Sequence, residues 1–188
     1  MTDFYNNLTA QEFKHLALAA IGRSDLHTSI SCLKHALAQD GSDAECHLLL
    51  GAQYAQIGMA DAGLAALRRA VELNPGLEMA HFQLGLLYLT QGQVAEAALA
   101  WQAFDASDSL HPLRLFRDGM LCLVRDEFDD AKRLLLEGMA RNVVNQSLNR
   151  DMENVLRRIE AAQAELAPPE APAAAGEQHL AVSAYQPE

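Results

Sequence analysis

Laid over itself with a shift of 34 residues, the chain repeats. His47, Leu50, Gly51, Tyr54 and Gly58 fall onto His81, Leu84, Gly85, Tyr88 and Gly92 at one register. One more shift brings Gly119 and Cys122 onto the Gly and Tyr positions, with Ala131 and Leu135 further along the unit. A shift in the other direction brings in Leu16, Ala17 and Ala20, then Ser29, Leu33 and Ala36. Four units follow, 10–43, 44–77, 78–111 and 112–145, behind a short lead over 1–9. A repeat of this length is one supersecondary element that cannot bury its apolar face alone and must stack on its neighbours.

The composition says which element. Alanine (33) and leucine (30) dominate, whereas valine, isoleucine and threonine together number only 15, so the units are helical and the fold is all-α. Each unit holds two amphipathic runs parted by a break: Gly58–Asp61, Gln91–Gln93 and Arg125–Glu127. Thr9-x-x-Glu12 and Ser42-x-x-Glu45 read as capping boxes, Pro75 stops a helix and Pro112 suits the first turn of another. Gly51, Gly85 and Gly119 sit inside first helices, where glycine costs about 1 kcal/mol against alanine. Close passage of a second helix explains that cost.

Those residues carry a resemblance. The pattern His47, Leu50, Gly51, Tyr54, then Gly63, Leu67, Ala70 and Pro75 resembles the tetratricopeptide repeat family, and so does His81, Leu84, Gly85, Tyr88, then Ala97, Trp101 and Phe104. The resemblance covers about three quarters of the chain and implies a solenoid of helical hairpins. Past 145 the identities stop, but Leu148, Met152, Val155, Leu156 and Ile159 form one apolar stripe, which predicts a capping helix over 146–165. The tail 166–188 holds four of the six prolines, three glutamates and no Lys or Arg, a composition that predicts flexibility.

The resemblance also implies a concave groove lined by the second, fifth, ninth, twelfth and thirteenth positions of each unit. In the first unit these are mixed, with Lys14 the only residue suited to gripping a carboxylate. In the last two units they are nearly all apolar. Leu48, Met79, Phe82, Leu86, Leu89, Leu113, Phe116, Met120 and Leu123 are therefore the candidate partner-binding residues, with Phe82, Leu86, Phe116 and Met120 expected to dominate affinity. The competing reading makes the same Phe and Met side chains core between adjacent hairpins.

Chemistry has little support. His47 and His81 recur at a packing position one unit apart; Cys32 and His35 share a helix face without a second ligand pair. No Gly-rich elbow or phosphate loop accompanies a Ser, Cys or His. Asp118, where units two and three carry leucine, is expected to pair with Arg114 or an arginine of a neighbouring helix. The acidic run at 126–130 opens a helix and lacks the ligand spacing of a calcium loop. No catalytic residue, metal or cofactor is assigned.

A net charge of −11 with only three lysines excludes an ordinary nucleic-acid binder. The three cysteines form no C-x-x-C pair, and neither a signal peptide nor a membrane span is seen, so a reduced, cytoplasmic protein is expected. The functional expectation is a non-catalytic adaptor or chaperone that binds an apolar or amphipathic segment of another protein. Bacterial secretion chaperones and pilus or secretion-assembly factors are similar in size and built from such repeats. The alternative is a scaffold whose groove serves homo-oligomerisation or is covered by its own tail.

Overall fold

The computed structural model describes residues 8–166, so the expectation of a flexible tail falls, from 167 onward, outside the described residues. Within them there are nine α-helices and no strand: α1 Ala10–Gly22, α2 Leu26–Gln39, α3 Ala44–Gln56, α4 Ala60–Leu73, α5 Glu78–Thr90, α6 Val94–Ala100, α7 Pro112–Val124, α8 Phe128–Arg141 and α9 Gln146–Leu166. The odd helices start at 10, 44, 78, 112 and 146, and the even ones at 26, 60, 94 and 128. Both series step by the 34 residues of the sequence period. The helix expected as an unrelated cap therefore stands in the first-helix position of a fifth unit.

Local chemistry sets these starts. Thr9 forms the full capping box with Glu12, and Pro112 occupies the first turn of α7. The second expected box is displaced by one residue. Asp43, not Ser42, accepts the Cys46 amide, while Ser42 turns back to Asp40. A carboxylate serves better there, because it meets both the helix dipole and Lys14.

Every hairpin turns on one residue with positive φ: Ser24 (58°), Gly58 (76°), Gly92 (71°) and Asp126 (59°). The next amide then reaches five residues back, Asp25 to Ala20, Met59 to Tyr54, Gln93 to Tyr88 and Glu127 to Cys122, at 2.9–3.0 Å. A left-handed backbone costs an L-residue about 1–2 kcal/mol, partly offset by the greater freedom glycine has when unfolded. Ser24→Gly should accordingly stabilise the protein by about 0.5 kcal/mol and Gly58→Ala destabilise it by about 1 kcal/mol, read from urea unfolding midpoints.

Within a hairpin, the small residue of the first helix lies under a large residue of the second. A methyl group on Gly51 would stand 2.6 Å from Leu67 Cγ, one on Gly119 3.0 Å from the Leu135 side chain, and one on Gly85 2.1 Å from Trp101 Nε1. The first hairpin has Ala17 and Leu33, both fully buried, at the same positions. Leucine can therefore yield to a methyl group. Trp101 cannot: it is fully buried, stacks on Phe82, and its Nε1 donates to the Phe82 carbonyl at 3.1 Å. Gly85→Ala should cost about 3 kcal/mol and Gly119→Ala no more than about 1 kcal/mol in the same assay. Equal costs would show that the rigidity of the tryptophan is irrelevant.

The third hairpin is the irregular one. Its second helix stops as α6 after seven residues and tightens into a 3-10 turn over Trp101–Phe104, whereas α2, α4 and α8 run for 14. Arginines of α7 take the carbonyls that a continued helix would use. Arg117 Nη1 donates to Trp101 O at 3.3 Å and to Asp105 Oδ1 at 2.6 Å, and Arg114 Nη1 donates to Asp105 O and Ser107 O. Asp118 pairs with Arg117 at 2.8 Å, so the partner expected one turn earlier is the wrong arginine. Arg114 is already committed to backbone.

The core runs in two bodies. Phe13, Leu33, Cys46 and Leu50 centre the first; Leu67, Phe82, Trp101, Phe116, Leu135 and Met152 run through the second into α9. The α2–α3 contact carries a buried Ser29 Oγ to Gln53 Oε1 hydrogen bond of 2.9 Å. At the other end, Asn142 and Asn149 exchange side-chain and backbone hydrogen bonds that seat α9 on α8.

Candidate functional site

The groove expected from the resemblance separates into two surfaces. At the fifth position, Phe82 and Phe116 are 0% exposed and touch each other across the α5–α7 contact, with ring centroids 6.2 Å apart. Leu113, at the second position, is buried as well. In this structure these three side chains are the seam between successive first helices and offer no surface to a partner. Met79 and Leu48 flank that seam, half-buried. The competing core reading holds for the phenylalanines.

The ninth and twelfth positions lie outside the seam. Leu86 and Leu89 on α5 and Met120 and Leu123 on α7 are half-buried, continued toward the N-terminus by Ala52, Ala55 and Ile21. Leu18 and Val124 are each 45% exposed at the two ends of this stripe. The physical reason is spacing: a position on the axis between neighbouring first helices is covered by the next one, while a position rotated away from that axis keeps water on one side.

A pocket of about 330 Å³ opens where α7 meets α9. Met120 and Leu123 come from α7, Phe128 from the start of α8, and Val155, Ile159 and Ala162 from α9. Arg158 is the only charged residue lining it. Among the described residues Arg158 has no hydrogen bond or ion pair. This pocket was only half visible in the sequence, because α9 showed no identities that would place it in register. Counting a further 34 residues from Pro112 to Gln146 is the signal that finds it.

No family model matches the chain, and no curated protein does. Solved structures do match. MamA aligns with a TM-score of 0.59 over 85% of this chain and 82% of its own, at 20% identity. A thermophilic TPR protein of Thermus thermophilus, TTC0263, aligns with a TM-score of 0.62 over 86% and 84%, at 19% identity. The APC/C hetero-tetramer Cut9–Hcn1 gives a TM-score of 0.69 over 83% of this chain but 30% of the other, at 13% identity. The chain has the tetratricopeptide-repeat fold.

Within this tetratricopeptide array His47, His81 and His35 make packing contacts. His47 Nε2 and His81 Nε2 each meet a carbonyl oxygen six residues earlier, Gly41 O and Pro75 O, and His81 Nδ1 faces Ala100 O. His35 stacks on Phe13. Among the described residues no three His, Cys, Asp or Glu side chains are placed to hold a metal ion. Burial, helped by Asp43, pushes the Cys46 thiol up to about 12, and burial also raises Cys32 and Cys122, so all three thiols stay protonated at neutral pH.

Lys14 is not available to a partner's carboxylate. It bridges α1 to α3, 3.0 Å from Asp43 and 2.6 Å from Glu45. Burial alone would lower its pKa, but the hydrogen bonds to Glu45 and Asp43 hold it above the ordinary lysine value. Burial would raise Asp43, and the Cys46 amide with Lys14 instead holds it below the ordinary carboxylate value. The raised lysine contributes stability below its unfolded pKa, lost as pH rises through its folded value; the depressed aspartate contributes above its unfolded pKa, lost as pH falls through its folded value. Lys14→Gln should cost about 1–2 kcal/mol near neutrality. That deficit should shrink below about pH 4 and above about pH 10.5, as chemical denaturation across pH will read.

Proposed function

We propose that this array is a non-catalytic protein-binding module that holds an apolar or amphipathic segment of another protein along the stripe from Leu86 and Leu89 to Met120 and Leu123. The carrying observation is the pocket between α7 and α9, an apolar concavity at the end of a continuous half-open apolar stripe. Surfaces of this kind are rare on proteins that stay unaccompanied. Leucine and methionine line it, side chains that adapt to partners of varied shape. Affinity is carried by the ninth and twelfth positions, because the phenylalanines are spent on the seam. The setting we propose is an adaptor or chaperone in the cytoplasm, of the kind used in bacterial secretion or pilus assembly. A surface that repels its own copies through a net charge of −11 favours a different partner over a second copy.

The second helices provide internal controls. Leu99 is 66% exposed on α6 and Leu136 56% exposed on α8, more open than any groove leucine but outside the stripe. Photo-crosslinking residues placed at Leu89 and Leu123 should capture one and the same protein in cells, and those at Leu99 and Leu136 should not. Leu89→Asp with Leu123→Asp should then weaken binding of that protein at least tenfold, about 1.4 kcal/mol, with helical content retained. Capture from the second-helix positions alone would place the function on the opposite face. The identity of the captured protein decides the secretion setting.

A further inference from the structure

The geometry points to this chain's own segment 177–185 as an occupant of the pocket between α7 and α9, competing there with the partner segment. The inference rests on the groove reading above and adds a regulator to it. Three observations converge. The pocket lies at the end of α9: Ala162 lines it, and α9 ends at Leu166, about 6 Å further along the axis. The chain that continues from that point carries 22 more residues, enough to return. The pocket's chemistry, an apolar floor beside Arg158, which has no ion pair among the described residues, matches that segment.

The match is residue by residue. From 167 to 188 there is no lysine or arginine, and the acidic side chains are Glu170, Glu177 and Glu188. The large apolar side chains gather at Leu180, Val182 and Tyr185, three to eight residues after Glu177. Leu180 and Val182 would fall on one side of an extended chain, so both can face Met120, Leu123 and Val155, while Glu177, three residues earlier and on the outer side of such a chain, can reach the exposed Arg158 at the rim.

Tethering makes a weak match sufficient. Leu180 is 14 residues beyond Leu166, a separation with a root-mean-square reach of about 20 Å for a flexible chain. Pro168, Pro169 and Pro172 favour an extended backbone over the first part of that span. A linker of this length sets a local concentration in the millimolar range, so an affinity of about 1 mM occupies the pocket about half the time. A partner segment then binds with an apparent affinity lowered by that occupancy, a few-fold effect that disappears when the segment is released.

The test uses the full chain with a nitroxide on Ser183→Cys. Cys32, Cys46 and Cys122 are buried, so the new thiol is the one labelled. Methyl resonances of Met120, Leu123, Val155 and Ile159 should broaden, independently of protein concentration. Arg158→Glu should remove most of the broadening, and Glu177→Arg added to it should restore part. In parallel, 8-anilinonaphthalene-1-sulfonate, an apolar anion, should bind the variant Leu180→Asp, Val182→Asp, Tyr185→Asp at least threefold more tightly than the natural chain. Absent broadening, or broadening that survives the triple substitution, overturns the inference. Broadening that grows with concentration overturns it in favour of a second copy. Dye binding that is equal in both forms and lost in Met120→Asp, with no broadening, sinks the tail contact and leaves the groove standing. Dye that binds neither form counts against the groove reading itself, while the nitroxide result still decides the tail.

Discussion

Two helices of a hairpin can close to backbone distance only where one of them has no side chain in the way. In this chain that place is the glycine or alanine of the first helix, facing a leucine or tryptophan of the second: Ala17 and Leu33, Gly51 and Leu67, Gly85 and Trp101, Gly119 and Leu135. Everything downstream inherits the geometry of this crossing. It fixes the rotation of each first helix, and thereby which residues meet the next hairpin and which are left facing water. The left-handed turn residues set the entry angle, and the crossing sets the depth. Glycine's conformational cost inside a helix is recovered through the burial of the large residue laid over it.

The same geometry explains how the stack ends. At the fifth position of successive first helices stand Phe82, Phe116 and then Arg150. The two phenylalanines are the seam onto the following first helix, and an exposed arginine in their place ends the invitation. Asn154 and Arg157 complete that polar face, while Leu148, Met152 and Ile159 on the other side of α9 still pack on the array. A single helix is thus apolar toward the repeat behind it and charged toward the place where another would have been. Solenoids require such an end, because each repeat otherwise exposes the surface that its neighbour buries.

The period made the repeat arrangement legible, since both helix series keep the 34-residue step. The groove was legible only in part. A list of repeat positions says which residues share a helix face, but a face of five positions is wide enough to contain both a seam and an open surface. Phe82 and Leu86 differ by four residues and by whether the next helix lies over them. α9 escaped for another reason: a helix that no longer has to receive a successor loses the residues by which repeats are recognised, yet keeps its place. Asp118 and Ser42 show a third limit, the choice among several polar neighbours within reach, which depends on what those neighbours already hold. Arg114 was taken by the carbonyls of Asp105 and Ser107, and Ser42 by Asp40.

Charge finally separates the open surface from the rest of the molecule. The chain is acidic overall, and of the basic side chains on its helices many are tied: Lys14 to Asp43 and Glu45, Arg117 to Asp105 and Asp118, Arg125 to Glu127, Arg133 to Asp130, Arg141 to Glu137. Those ties leave the negative excess on solvent faces, where like charge opposes close approach of two copies. Arg158 is not among those tied side chains, and it is set beside the apolar pocket. Apolar surface alone attracts any greasy segment in any direction. One fixed positive charge at its end would give any occupant a polarity, because only one orientation would bring a carboxylate to the arginine without stranding the apolar side chains in water.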